Sequence, residues 1–232
     1  MDLVCENLKI SPASIVPKVP GTVRYVPNFI TPEEEIEIIK QVNNSPLPKW
    51  TQLSHRRLQN WGGIPHPKGM IAEEIPTWLT KYVGKISDLQ IFQDKKLPNH
   101  VLINEYLPGQ GIMPHSDGPL FHPIVTTISC GSHTLLEFCK RNESDRVEVP
   151  NLEFALLLER RSLLILEDDL YHKYLHSISE RHCDTISREN IMNLDLCAVK
   201  YQENEMIERG TRLSLTIRHV PKTSKLKLKL GR

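Results

Sequence analysis

Thr211-Arg212-Leu213-Ser214-Leu215-Thr216-Ile217-Arg218-His219 alternates without a break. In an extended chain Arg212, Ser214, Thr216 and Arg218 leave one face, while Leu213, Leu215 and Ile217 leave the other. Such period-two alternation marks a strand with two different surroundings. Working back through the chain, similar short runs occur at Val101 to Tyr106, Ile112 to Asp117, Ile124 to Cys130, Thr134 to Phe138, Phe154 to Leu158, Ser162 to Leu166 and Tyr174 to Ile178. About eight strands of this length, separated by turns such as Pro108-Gly109, predict a mostly β chain. The expected core is a double-stranded β-helix, or jelly roll, with helices packed outside it.

The helices come earlier. Thr31-Pro32-Glu33-Glu34-Glu35 combines an N-cap threonine, a proline at the first helical position and acids in the first turn. Ile36, Ile39 and Val42 then predict one apolar face on a helix running to about Asn43. Trp78, Leu79, Tyr82, Val83 and Ile86 suggest a second amphipathic helix over 76–87. Residues 1–21, with three prolines, read as an irregular lead-in to a single domain over 22–222. Residues 44–70 read as an ordered loop or hairpin region, 100–220 as the jelly-roll core, and 223–232 as a basic tail. Arg141 to Pro150 reads as a polar loop, and 180–208 as a long charged insertion, of a length usually functional or disordered.

Composition narrows the partners. The chain has 232 residues, 39% of them hydrophobic and 25% charged, with a net charge of +1. That suits one globular domain, and no apolar stretch approaches membrane-spanning length. A global cationic field cannot drive nucleic-acid binding, so any such contact needs a local patch. Lys49, Arg56, Arg57 and Lys68 form one candidate, and Lys222, Lys225, Lys227 and Lys229 another. Five cysteines without a C-x-x-C pair fit reduced thiols better than a disulfide framework. With neither a basic start nor an apolar h-region at Met1 to Glu6, the expected compartments are cytoplasm and nucleus; a monomer is expected.

Chemistry centres on His115-Ser116-Asp117. Two residues apart on a strand, His115 and Asp117 share a face and offer one nitrogen and one oxygen donor. His176, in the apolar run Tyr174 to Ile178, can add a third. Two imidazoles and a carboxylate leave a metal's other positions open, as in non-haem Fe(II) oxygenases, and a late arginine offers a grip for a carboxylate co-substrate. Arg212 and Arg218 stand roughly 20 Å apart along the strand, so the two have separate work. A second H-x-D, His182-Cys183-Asp184, lies in a polar stretch and is assigned to a surface loop. His172 is expected in a turn, and histidines 55, 66, 100, 122 and 133 in solvated or hydrogen-bonded roles.

Asn104-Glu105-Tyr106, His115-Ser116-Asp117, His176 and the Arg212-to-Arg218 strand together resemble the AlkB family of Fe(II)/2-oxoglutarate dioxygenases. The resemblance spans roughly residues 22 to 222 and includes Leu58 to Gly63 and Arg209 to Arg212. It implies His115, Asp117 and His176 as catalytic iron ligands, with 2-oxoglutarate and O2 as co-substrates. It implies Asn104 and Tyr106 as 2-oxoglutarate contacts, Arg212 on the far carboxylate with Ser214 beside it, and Arg218 nearer the iron. Trp50, Arg56, Arg57 and Trp61 would belong to a substrate-recognition lid meeting single-stranded or flipped-out DNA or RNA, core packing being the alternative for both tryptophans. Pro119 departs from the pattern, standing where the bacterial archetype has an acid that helps read the damaged base. The implied activity is oxidative demethylation or dealkylation of nucleic acid. A protein or small-molecule substrate, or a non-catalytic binding module, are the competing readings.

Overall fold

A computed structural model describes residues 14–92, 96–141 and 151–224. In chain order the strands are β1 (Val23–Val26), β2 (Trp50–Leu53), β3 (Arg56–Trp61), β4 (Met70–Ile71), β5 (His100–Tyr106), β6 (Ile112–His115), β7 (Ile124–Cys130) and β8 (Thr134–Lys140). They continue as β9 (Phe154–Leu158), β10 (Leu163–Glu167), β11 (Tyr174–Ile178), β12 (Cys183–Thr185), β13 (Met206–Glu208), β14 (Arg212–Arg218) and β15 (Thr223–Ser224). The helices are α1 (Pro32–Asn43), α2 (Thr77–Asp88) and the single turn α3 (Asp169–His172).

Seven strands form one sheet, β1-β10-β7-β14-β5-β3-β2, and four form another, β6-β11-β8-β9. The inner faces meet in an apolar cluster that includes Tyr25, Val125, Leu136, Phe138, Leu158 and Leu164. β14 sits centrally between β7 and β5, with all seven residues buried. Its Leu213, Leu215 and Ile217 pack in one cluster with Ile38 and Val42 of α1 and Leu79, Tyr82 and Ile86 of α2. Its polar face looks inward, between the sheets. This is the expected jelly roll with helices outside.

α1 begins as its sequence predicts. Thr31 Oγ1 accepts from the Glu34 N–H, and the Glu34 carboxylate accepts from the Thr31 N–H, closing a capping box. The buried face is the expected one only in part, with Val42 buried and Ile39 packed against the core. Ile36 is 65% exposed, whereas Glu35, Ile38 and Val42 are buried. The helix is turned by a tertiary anchor: the Glu35 carboxylate accepts from the Gly131 N–H and from two nitrogens of Arg160.

The 180–208 segment is built into the fold. Asn193 exchanges two side-chain hydrogen bonds with the backbone of Leu157, while Asn190 and Met192 pair with Ala155. The outer edge of β9 is thereby covered, where a bare edge would invite stray strand pairing. The same segment corrects the reading of His182-Cys183-Asp184 as surface loop. Cys183 begins β12, and Asp184 is fully buried in a bidentate pair with Arg209 at 2.7 Å. Thr223 and Ser224, assigned to the tail, pair with β4. Residues 1–13 of the lead-in, 142–150 of the polar loop and 225–232 of the tail lie outside the described residues.

Candidate metal centre and co-substrate cavity

β6 and β11 are antiparallel neighbours, and their register sets His115 directly opposite His176. The ring centroids are 4.4 Å apart. Asp117 arrives by a different route from the one expected: β6 ends at His115, so the carboxylate comes from the following turn. Gly118, at φ +86°, allows the chain to bend sharply there. Asp117 Oδ2 lies 3.7 Å from His176 Nε2, and Oδ1 accepts from Arg218. The other histidines do not join them. His172 closes α3, His55 pairs with Glu180 at 2.9 Å, and His133 lies 3.3 Å from the buried Asp184.

Tautomer and charge suit ligation. His115 Nδ1 is 2.9 Å from the Met113 carbonyl; only N–H can face a carbonyl, which leaves the Nε2 lone pair free, the arrangement common among metal-bound histidines. Burial pushes His176 down to about 4 against the pull of Asp117, so its ring is neutral at neutral pH. Burial would raise the Asp117 pKa, but Arg218, His176 and His115 hold it below the usual carboxylate range. Among the described residues no three His, Cys, Asp or Glu side chains already stand as a closed metal-holding group, and here one Asp117 oxygen is turned onto Arg218. The donor set itself, two imidazoles and one ionised carboxylate, is one that could hold Fe(II).

A cavity of about 210 Å³ opens from this cluster between the sheets. Asn104, Tyr106, Arg212, Ser214 and Arg218 all line it, as do Arg56, Thr127 and Thr216. At its far end Arg212 is buried and donates to Ser129 Oγ at 2.9 Å, its Nε has no partner, and no carboxylate pairs with it among the described residues. Burial lowers its pKa to about 10, still a cation at neutral pH. A buried cation without a counter-charge is costly, and an incoming carboxylate relieves that cost. Arg218 differs, because it is already matched to Asp117 and stacked 3.7 Å from the Phe121 ring centroid.

Residues 59–218 match the 2OG-Fe(II) oxygenase superfamily. The chain belongs to this superfamily. It is 49% identical over 234 residues to a Danio rerio protein named "Probable RNA/DNA demethylase ALKBH6", spanning 99% of this chain and 98% of that one. That likeness places it among the AlkB homologues. It is 27% identical to the Xenopus tropicalis "tRNA (carboxymethyluridine(34)-5-O)-methyltransferase alkbh8", over 88% of this chain but 32% of that protein. The solved structure of OsALKBH1 shares the fold with a TM-score of 0.52 at 13% identity, covering 85% of this chain and 96% of that one. The protein is a 2-oxoglutarate-dependent dioxygenase of the class that uses Fe(II), 2-oxoglutarate and O2.

The oxygenase sheet sorts the four candidate lid residues. The 44–70 region is a hairpin, β2–β3, added to the edge of the large sheet beside β5. Directly paired residues share a face, so Arg57 and Glu105 point away from the cavity that Asn104 lines. Arg57 forms a two-pronged pair with Glu105 and stacks 4.0 Å from the Trp50 ring centroid. Trp61 packs edge-on against Trp78 of α2. Trp50, Arg57 and Trp61 therefore serve the helix-facing layer, a correction to their reading as substrate contacts. Arg56, one residue off in register, faces inward and donates to Asn104 Oδ1 at 3.1 Å. Ser129 and Phe121 were missed. The polar Thr127 and Ser129 at alternate positions of β7 were a usable signal for the first; nothing local marked the second.

Proposed function

We propose that His115, Asp117 and His176 hold Fe(II), that Arg212 receives the far carboxylate of 2-oxoglutarate, and that the reaction is oxidative demethylation of a nucleic-acid base. The observation that carries the reading is the pairing of ends in one cavity: nitrogen and oxygen donors at one, a buried arginine without a carboxylate at the other. When bound, the ferrous ion supplies redox chemistry that couples oxidation of a substrate C–H bond to conversion of 2-oxoglutarate and O2 into succinate and CO2. The residues supply the rest. Arg212, with Ser214 and Tyr106 beside it, fixes the direction in which the dicarboxylate lies. Arg218 matches the charge of Asp117 and stacks on the Phe121 ring. Arg56 holds the Asn104 amide at the cavity wall. Hydroxylation of an N-methyl carbon gives a hemiaminal that expels formaldehyde.

The nucleic-acid part is supported by the likeness to a protein named as an RNA/DNA demethylase. The target base has to be unpaired or flipped from the duplex to reach so enclosed a site. Formaldehyde and succinate released together from a panel of methylated oligonucleotides test it. One observation favours the second reading, a protein or small-molecule substrate: two cations of the candidate patch are already matched, Arg57 to Glu105 and Lys49 to Glu73 at 3.2 Å. Binding to single-stranded DNA and RNA across a salt series separates the two. A set of phosphate contacts declines steeply with salt, and no binding even at low salt rejects the nucleic-acid substrate.

A further inference from the structure

We infer that Tyr171 is a positioning residue for the metal end of the site, its hydroxyl tying the turn that carries Asp117 to the helix that leads into His176. The inference rests on the metal-centre reading above. Residues 116–123 belong to no strand, so ladder hydrogen bonds do not fix the Asp117 backbone. Gly118 has a positive φ and open space where a side chain would sit, so the turn does not lock itself. The tether comes from outside. Tyr171 Oη donates to the Gly118 carbonyl and lies 3.1 Å from the Phe121 carbonyl, so one proton is shared across both ends of the turn.

The consequence closes a loop of contacts. Phe121, held at its own carbonyl, presents its ring to the Arg218 guanidinium. Arg218 in turn bonds Asp117 Oδ1. Tyr171 sits in α3, three residues before β11 and five before His176. One phenol thus links the segment carrying the carboxylate donor to the segment carrying the second imidazole. The hydroxyl is separable from the packing role of the ring, which lies against the core cluster at its margin.

Tyr171→Phe removes that hydroxyl alone. Partners that orient metal ligands directly are worth 10–100-fold in metal affinity; one step further out, the expected loss is about 3- to 10-fold. Mn(II) serves as the redox-silent probe, titrated by calorimetry against the full chain, with the thermal midpoint of the metal-free protein measured alongside. The expected result is weaker Mn(II) binding with an unchanged metal-free midpoint. Phe121→Leu should weaken Mn(II) in the same way, and the double variant should fall short of the product of the two single effects, because both act through one turn. Wild-type Mn(II) affinity in Tyr171→Phe overturns the inference, as does an affinity loss that only tracks a fall in the metal-free midpoint. A wild-type chain that binds no Mn(II) overturns the metal-centre reading together with it.

Discussion

Arg212 shows what a single side chain commits a site to. Its guanidinium is removed from water, bonded once to Ser129 and given no carboxylate among the described residues. Deleting one partner of a buried, hydrogen-bonded charge pair costs about 2–5 kcal/mol. Arg212→Ala is therefore expected to raise the 2-oxoglutarate requirement by at least roughly 30-fold. Mn(II) affinity should barely move, because the metal donors lie at the other end of the cavity. Steady-state succinate formation and Mn(II) calorimetry report the two quantities separately; equal 2-oxoglutarate dependence in variant and wild type rejects the assigned role. Arg218 cannot substitute, being already spent on Asp117.

At the scale of elements, the site is assembled from β5, β6, β11 and β14, and the last of these announces itself most plainly. β14 declares both its faces by alternation, because its environments differ across the sheet and the side-chain period is two. α1 was legible at its start, where the capping box is local, but only partly in its rotation, where Glu35 reaches Gly131 and Arg160 far along the chain. Asp184 was misplaced for the same reason, since its partner Arg209 lies 25 residues on. The lid tryptophans took the core-packing alternative. A hairpin's own pattern does not say which way it registers against a distant strand, and here the β3–β5 register turns Trp61 toward α2. Glu35 gives the element-scale test. Glu35→Ala removes a charge-assisted anchor worth about 1.5–3 kcal/mol, so the urea midpoint should fall with the m-value unchanged. A midpoint equal to wild type means the α1 rotation is set by Ile38 and Val42 alone.

For the whole molecule, charge and ligand both enter the folding equilibrium. Burial would raise the Asp184 pKa, but His133 and Arg209 beside it, with Arg181, hold it down at about 2. A carboxylate depressed in the folded state stabilises fully above its unfolded value of 3.8, and that contribution is lost as pH falls towards about 2. Wild type should thus shed about 2 kcal/mol more between pH 5 and 2 than Asp184→Asn does; parallel stability curves from urea titrations contradict the pairing. Ligands act in the opposite sense. Mn(II) and 2-oxoglutarate that bind only the folded chain stabilise it by about 2.7 kcal/mol for each one present at 100 times its Kd. In a chain of this size that is roughly 5–10 °C in the thermal midpoint per ligand. The site's two ends predict how this divides: His115→Ala should lose the Mn(II) increment, whereas Arg212→Ala should keep it and lose the further rise on adding 2-oxoglutarate. If Arg212→Ala still gains the second increment in full, the dicarboxylate is held elsewhere in the cavity, and the uncompensated charge at Arg212 needs another explanation.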